Sequence, residues 1–230
     1  MIVALDATAL DPALRMARRL RGIVRAVKVG SALFTACGPH VLHRLRALGF
    51  DLMLDLKFHD IPSTVALSCR AAVAHRVSRL TVHAAGGRDM LEAAVRSVRD
   101  EAKRAKRMRA HRPNVLAVTV LTSESVPPAS DRVVELVEVA LEAGCDGVVA
   151  SAQEAEEIRR AFPRERFEIV CPGIRPSGAL REDQRRTATP AEALRAGASA
   201  LVVGRPITAA RNPRAAAQQI LSEMESSGRC

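Results

Sequence analysis

Apolar, β-branched runs and helical segments alternate eight times along this chain, and no other feature restricts its fold as tightly. The runs are Ile2–Leu5, Val24–Val29, Leu52–Lys57, Arg79–His83, Val115–Leu121, Gly147–Ala150, Glu168–Cys171 and Ala200–Val203. Between them, apolar residues recur at helical spacing over Asp11–Leu20, Pro39–Leu48, Pro62–His75, Arg88–Met108, Asp131–Glu142, Ala152–Ala161, Pro190–Ala196 and Pro213–Glu225. Strands that are apolar on both faces belong to a parallel sheet covered by helices. Eight strand–helix units in 230 residues predict an α/β fold, a single-domain (β/α)8 TIM barrel over residues 1–230. No Gly-x-Gly-x-x-Gly follows the first strand, which speaks against an open dinucleotide-binding sheet.

Composition narrows the setting. No apolar run reaches the ~18 residues that would span a bilayer, and Met1–Leu5 reads as a first strand, not a signal peptide. The five cysteines are scattered and odd in number. Their spacing suits neither a disulfide framework nor a metal site, so reduced thiols in a cytoplasm are expected, with Cys171 a packing residue. The net charge of +10 suits either nucleic acid or a small polyanion. The run Lys103-Arg104-Ala105-Lys106-Arg107-Met108-Arg109 falls on the last turns of a helix, where the dipole favours it and water solvates it. With no Trp or Tyr and only five Phe, platforms for stacking single-stranded bases are scarce. Neither a nucleic-acid partner nor a membrane is expected.

Nearly all the basic excess is arginine. The four lysines are Lys28, Lys57, Lys103 and Lys106, and two of them stand at apolar strand ends. An ammonium can give up a proton, whereas a guanidinium effectively cannot. Lys57 lies in the stretch Asp55-Leu56-Lys57-Phe58-His59-Asp60-Ile61-Pro62-Ser63-Thr64, which leaves the third strand and enters a helix at Pro62. Residues two apart on a strand point to one side, so Asp55 and Lys57 should share a face. Asp60 adds a second acid just beyond. Three charges brought together at a strand end cost free energy unless they compensate one another. A structural ion pair with Asp60 capping the next helix is the plain alternative.

The other strand ends favour a site. Taken in order they carry Asp6, Lys28, Asp55 with Lys57, His83, Thr122 with Ser123, then Pro172-Gly173-Ile174-Arg175 and Gly204-Arg205, while the strand interiors are apolar. Active sites of such barrels lie at this end. Gly173 lets backbone approach a ligand, Arg175 can donate two hydrogen bonds to phosphate, and Gly204-Arg205 opens a short helix. Paired on the last two loops, they predict a phosphate site. His83 and His59 are read as packed, structural histidines.

At this point the sequence resembles the orotidine 5′-phosphate decarboxylase family. The likeness rests on Val3-Ala4-Leu5-Asp6, the segment Leu54 to Pro62, Val118 to Ser123, Pro172 to Arg175, Asp183-Gln184-Arg185-Arg186 and Val203 to Thr208, in family order over nearly the whole chain. The resemblance implies a cofactor-free, metal-free homodimeric barrel that converts orotidine 5′-monophosphate to UMP and carbon dioxide, the last step of de novo pyrimidine nucleotide synthesis. It implies that Lys57 protonates the ring carbon, Asp55 sits against the substrate carboxylate and Lys28 ties the charges together. Asp6 and Lys28 would hold ribose hydroxyls, Thr122 would read the pyrimidine edge and Pro172 would flank the base. Arg175, Gln184, Gly204 and Arg205 would hold the phosphate. Asp60, with Ile61 and Thr64, would serve the neighbouring subunit. A magnesium-dependent decarboxylase or aldolase of sugar phosphates, from the same barrel superfamily, shares the Asp-x-Lys-x-x-Asp core; Ile61-Pro62 and Leu121-Thr122-Ser123 point away from it. A basic nucleic-acid-binding barrel is the rival from another class.

Overall fold

The structure is a computed structural model and describes residues 1–105, 112–120, 130–176 and 187–227. Eight parallel strands close in sequence order: β1 (Ile2–Ala4), β2 (Ala26–Gly30), β3 (Asp51–Phe58), β4 (Arg79–His83), β5 (Asn114–Val118), β6 (Gly147–Val149), β7 (Glu168–Cys171) and β8 (Ala200–Val203). β8 pairs back onto β1 through Ile2 with Val202 and Val3 with Val203, so no sheet edge is left open. The main helices around them are α1 (Leu10–Leu20), α2 (Ser31–Cys37), α3 (His40–Ala47), α4 (Pro62–Ala74), α5 (Gly87–Ala105), α6 (Ser130–Glu142), α7 (Ala152–Ala161), α8 (Pro190–Arg195), α9 (Arg205–Thr208) and α10 (Pro213–Ser226). The predicted TIM barrel is the fold.

Strand parity divides the apolar residues into two cores. Val3, Val27, Leu54, Leu80, Ala117 and Val148 face outward and pack under the helices with Leu14, Leu42, Leu91 and Ile158. Ile2, Ala26, Met53, Leu116, Val170 and Val202 fill the inside of the barrel. Continuous apolar strands are what this double burial demands. The inside is not wholly apolar. Arg79, at the start of β4, donates from Nε and Nη2 to the Glu168 carboxylate at the start of β7 (2.7–3.1 Å), and Asn114 Nδ2 adds a longer bond at 3.3 Å. This bidentate pair closes the N-terminal end, the end opposite the polar strand termini.

Local signals set the helix starts. Ser151 with Glu154, and Thr189 with Glu192, form reciprocal capping boxes, while Asn212 accepts from the Ala215 amide. Pro62, Pro190 and Pro213 occupy first-turn positions, where no amide hydrogen is missed.

Some expected boundaries shift. The helix expected over Pro39–Leu48 is preceded by another, α2, which starts directly off β2 with Gly30 as its N-cap. Its seven residues bury only Leu33, too few to display a helical period. The fifth strand ends at Val118, not Leu121: the Thr119 amide still makes the ladder bond to the Val149 carbonyl, and the Thr119 hydroxyl donates to the same oxygen (3.1 Å each). Leu121 itself lies outside the described residues. β2 begins at Ala26, since the Ile23 and Val24 amides are spent closing α1 on the Leu20 carbonyl.

Gly147 marks the tightest approach in the sheet. A Cβ there would sit 2.8 Å from Glu168 Cβ and closer still to the Glu168 carbonyl oxygen, which is backbone and cannot yield cheaply. Gly147→Ala should therefore destabilise the fold by ~1–3 kcal/mol, the usual cost of overpacking. Chemical denaturation would read this directly; an unchanged midpoint would mean that β6 and β7 separate without penalty.

Candidate active site

The chemistry-bearing residues converge where β3 breaks from regularity. Its pairing with β4 runs Met53–Arg79 and Leu54–Leu80, then resumes at Phe58–Val82, so β3 spends two extra residues. Inside this bulge Lys57 takes a φ of 50°, one of two positive values among the described non-glycine residues. A left-handed conformation costs a lysine ~1–2 kcal/mol. Neighbouring groups hold it there. The Lys57 amide, lifted out of the ladder, donates to Thr81 Oγ1 (2.9 Å), and the Thr81 hydroxyl donates onward to Asp55 Oδ1 (3.0 Å). Asp55 and Lys57 do meet, but the bulge brings them together, not the simple strand alternation expected.

Four charges of alternating sign then run across three strand ends. Lys57 Nζ donates to Asp55 Oδ1 at 2.9 Å; Asp55 Oδ2 lies 3.3 Å from Lys28 Nζ, which reaches Asp6 Oδ1 at 3.4 Å. Exposure rises outward from the centre. The Asp55 side chain is 10% exposed, Lys28 13%, Lys57 36% and Asp6 65%. Burial pushes the Asp55 carboxyl up, but the combined pull of Lys28 and Lys57, with hydrogen bonds from Lys57 and Thr81, outweighs it. The group is held below the usual carboxylate range. Gly30 makes room for the array, since a Cβ there would stand 3.2 Å from Lys28 Nζ.

Beside this array opens a cleft of about 440 Å³ between β1, β2, β7 and β8. Asp6 and Lys28 form one wall; Pro172, Arg175, Gly204 and Arg205 form the other. Arg175 is buried, with its Nη1 donating to the Ile174 carbonyl (3.0 Å). Gly173 has φ 77°, the left-handed conformation that lets the strand turn into this wall.

Three comparisons bear on this arrangement. The model of the orotidine 5′-phosphate decarboxylase / HUMPS family matches residues 1–220. The chain is 48% identical over 235 residues to a Moorella thermoacetica protein named orotidine 5′-phosphate decarboxylase, covering 98% of this chain and 92% of that one. A protein of the same name from Halorhodospira halophila is 44% identical, covering 99% and 97%.

The chain belongs to the orotidine 5′-phosphate decarboxylase / HUMPS family.

Its fold agrees with a crystal structure of orotidine 5′-phosphate decarboxylase from Lactobacillus acidophilus, at a TM-score of 0.83 and 34% identity over 97% of this chain and 98% of that one. Of the residues read from the family signature, Asp6, Lys28, Asp55 and Lys57 form one contact chain, and Pro172, Arg175, Gly204 and Arg205 flank the adjoining cleft. Asp60, Ile61 and Thr64 stand apart from them. All three are exposed, and Asp60 Oδ1 accepts a hydrogen bond from the Ile61 amide (2.7 Å). Asp60 does not cap α4: the N-cap is Ile61, with no side-chain cap. Thr122 and Gln184 lie outside the described residues.

Two functional neighbours escaped the sequence reading. Thr81 sits at an inward position of β4 between Arg79 and His83, a parity signal that was available but carries no charge to draw notice. Gly30 has no side chain, so no chemistry of its own marks it out in the sequence. The two histidines stack on each other (centroids 5.1 Å apart, planes 24° apart), and the Ala85 amide donates to His83 Nδ1. The thiols of Cys69, Cys145 and Cys171 are each pushed up to about 12 by burial, so none is a nucleophile at neutral pH. Lys103 and Arg104 face Asp100 and Glu101 across single helical turns, as expected of a solvated helix face.

The depressed Asp55 carboxyl makes stability depend on pH in one direction. Its contribution is fully present above the unfolded carboxylate value of about 3.9 and is lost as pH falls through the lower folded value. The unfolding free energies of wild type and Asp55→Asn should therefore converge in acid. A gap that persists unchanged from neutral pH into that range would rule this out.

Proposed function

We propose that this protein is an orotidine 5′-phosphate decarboxylase, converting orotidine 5′-monophosphate to UMP and carbon dioxide in the cytoplasm. The observation that carries the reading is the Asp55 carboxylate shared by Lys57 and Lys28 at the mouth of the barrel, next to an arginine-walled cleft. A phosphate held by Arg175 and Arg205 would anchor the substrate, with Gln184 and Gly204 completing its shell. The ribose would then lie over Asp6 and Lys28, with Pro172 against the base and Thr122 at the pyrimidine edge.

Loss of carbon dioxide from the ring leaves an electron pair on carbon with little delocalisation, so the barrier is high. Enzymes lower barriers by ~8–23 kcal/mol, mostly through preorganised electrostatics. Lys57 supplies that here. Its ammonium is already oriented by Asp55, and its attraction grows as charge collects on the ring carbon, which then takes its proton. Asp55 close to the departing carboxylate adds repulsion of about 4 kcal/mol at 4 Å for an effective dielectric near 20, a smaller contribution partly offset by Lys57. Binding at the distant phosphate can supply energy used at the ring, which makes Arg205 a contributor to rate.

No cofactor enters this scheme. Asp55 is already engaged by Lys57 and Thr81 at Oδ1 and by Lys28 at Oδ2, so two ammonium groups balance its charge. The decisive assay follows the loss of orotidine monophosphate absorbance in excess chelator. Wild type should turn over fully, while Lys57→Ala should fold, bind UMP and lose nearly all activity. Dependence on magnesium with a sugar phosphate as substrate would favour the magnesium-dependent decarboxylase or aldolase reading, and near-normal turnover by Lys57→Ala would remove Lys57 from the mechanism.

The exposure of Asp60, Ile61 and Thr64 supports a homodimer in which they complete the neighbour's site. Mixing inactive Lys57→Ala with inactive Asp60→Ala should then regenerate activity, because one site of each hybrid dimer is intact. No recovery, with subunit exchange verified by mass, would leave each site built within one chain.

A further inference from the structure

Buried hydroxyls in this barrel mostly serve the main chain. Among the described residues, Ser97 and Thr119 donate to the Ala94 and Val149 carbonyls, and Ser151 accepts from the Glu154 amide. Thr81 differs. It is 0% exposed on β4, yet its hydroxyl bonds a side-chain carboxylate, Asp55 Oδ1, at 3.0 Å. An ionised Asp55 has no proton to give, so the hydroxyl is the donor in that bond. A hydroxyl has one proton, and here both of its roles are taken. Oγ1 accepts from the Lys57 amide at 2.9 Å, and the proton goes to Asp55. One hydroxyl thus ties the backbone of Lys57 to the carboxylate that orients the Lys57 ammonium.

The proposed proton transfer puts a demand on this bond. A Lys57 N–H bond breaks toward the ring carbon; its electron pair stays on nitrogen, and the pair on carbon forms the new C–H bond. The contact from Lys57 Nζ to Asp55 Oδ1 then loses its charge assistance. Lys28 faces the other oxygen, Oδ2, at 3.3 Å. The Thr81 hydroxyl is therefore the donor, among the described residues, that holds Oδ1 unchanged before and after the transfer.

We propose that Thr81 is a positioning residue for the reaction, holding Asp55 and the Lys57 backbone in place while Lys57 passes its proton to the substrate. The inference rests on the decarboxylase reading and adds to it a neutral residue that acts through two charged ones. Full burial keeps Thr81 off the ligand, so its loss should fall on the chemical step and not on binding. Asp55 is faced by Lys28 from β2, by Lys57 from its own strand and by Thr81 from β4, while Asp6 reaches it through Lys28. Both lysines remain when Thr81 is changed. The hydroxyl's share, which helps to lower the Asp55 carboxyl, is then lost, and the carboxyl rises.

The test compares wild type with Thr81→Val, which keeps the shape and loses the hydroxyl, and with Thr81→Ser, which keeps the hydroxyl. Single-turnover decarboxylation of orotidine monophosphate should slow roughly 10–100-fold in Thr81→Val, as expected for a lost hydrogen bond to a charged group, and KM should stay close to wild type. Thr81→Ser should recover most of the rate. A carbon-13 NMR titration of the Asp55 carboxyl, assigned with Asp55→Asn, should show its midpoint raised in Thr81→Val and returned in Thr81→Ser. A merely structural threonine would move neither that midpoint nor the balance of kcat against KM. If Thr81→Val does not fold, Thr81→Ala, which adds no bulk, takes its place. A wild-type rate or an unmoved midpoint without the hydroxyl overturns the inference. So does a slow rate that Thr81→Ser leaves unrestored, or a loss that falls on KM instead of kcat. A wild type that does not turn over orotidine monophosphate overturns the decarboxylase reading instead, and the carboxyl midpoint still decides whether Thr81 holds Asp55.

Discussion

The site depends on one buried carboxylate held between two ammonium groups. Asp55 receives Lys57 on one oxygen and Lys28 on the other, and Thr81 donates to the oxygen facing Lys57. Remove that carboxylate and two ammonium groups at the barrel mouth lose their common partner, which is among the costliest changes available to a partly buried network. The same contact fixes what each group does. A carboxyl below its usual range stays ionised and cannot give a proton, whereas the lysine it orients keeps one to give. Division of labour between the two groups thus follows from residue type, and for Asp55 the environment reinforces it.

The barrel delivers this contact by parity and by one irregularity. Inward positions of the strands are apolar in the middle layer, become an Arg79–Glu168 pair at the N-terminal end, and become Lys28, Asp55 and Thr81 toward the mouth. Closure of β8 onto β1 brings Gly204 and Arg205 next to Asp6. Regular alternation alone would leave Lys57 in the ladder. The bulge lifts it out, with Thr81 replacing the lost ladder partner, so the strain at Lys57 is held by a bond that also orients Asp55.

Most of this was readable from the chain, for definable reasons. Strand positions and the barrel were legible because burial on both faces forces apolar runs, and the glycine–arginine wall of the cleft because those residues recur on the last two loops. Lys28 and Lys57 stood out because arginine supplies nearly every other positive charge. What escaped detection has no compositional mark. Thr81 is a neutral residue in an ordinary strand, α2 is too short for periodicity, and the positive φ at Lys57 arises from register between strands far apart in sequence.

Charge conservation links the array to the proposed reaction. Asp6, Lys28, Asp55 and Lys57 sum to zero, so the array does not repel an anionic substrate as a whole, and Asp55 opposes only the one carboxylate set beside it. When carbon dioxide leaves, the negative charge stays on the ring carbon. Proton transfer from Lys57 then moves that charge into the array, which becomes net negative around a neutral amine. Asp55 and Asp6 together disfavour that state, and a proton taken up from solvent restores the ammonium and resets the site. An Asp60 contributed by the neighbour would add a further negative charge near the same amine.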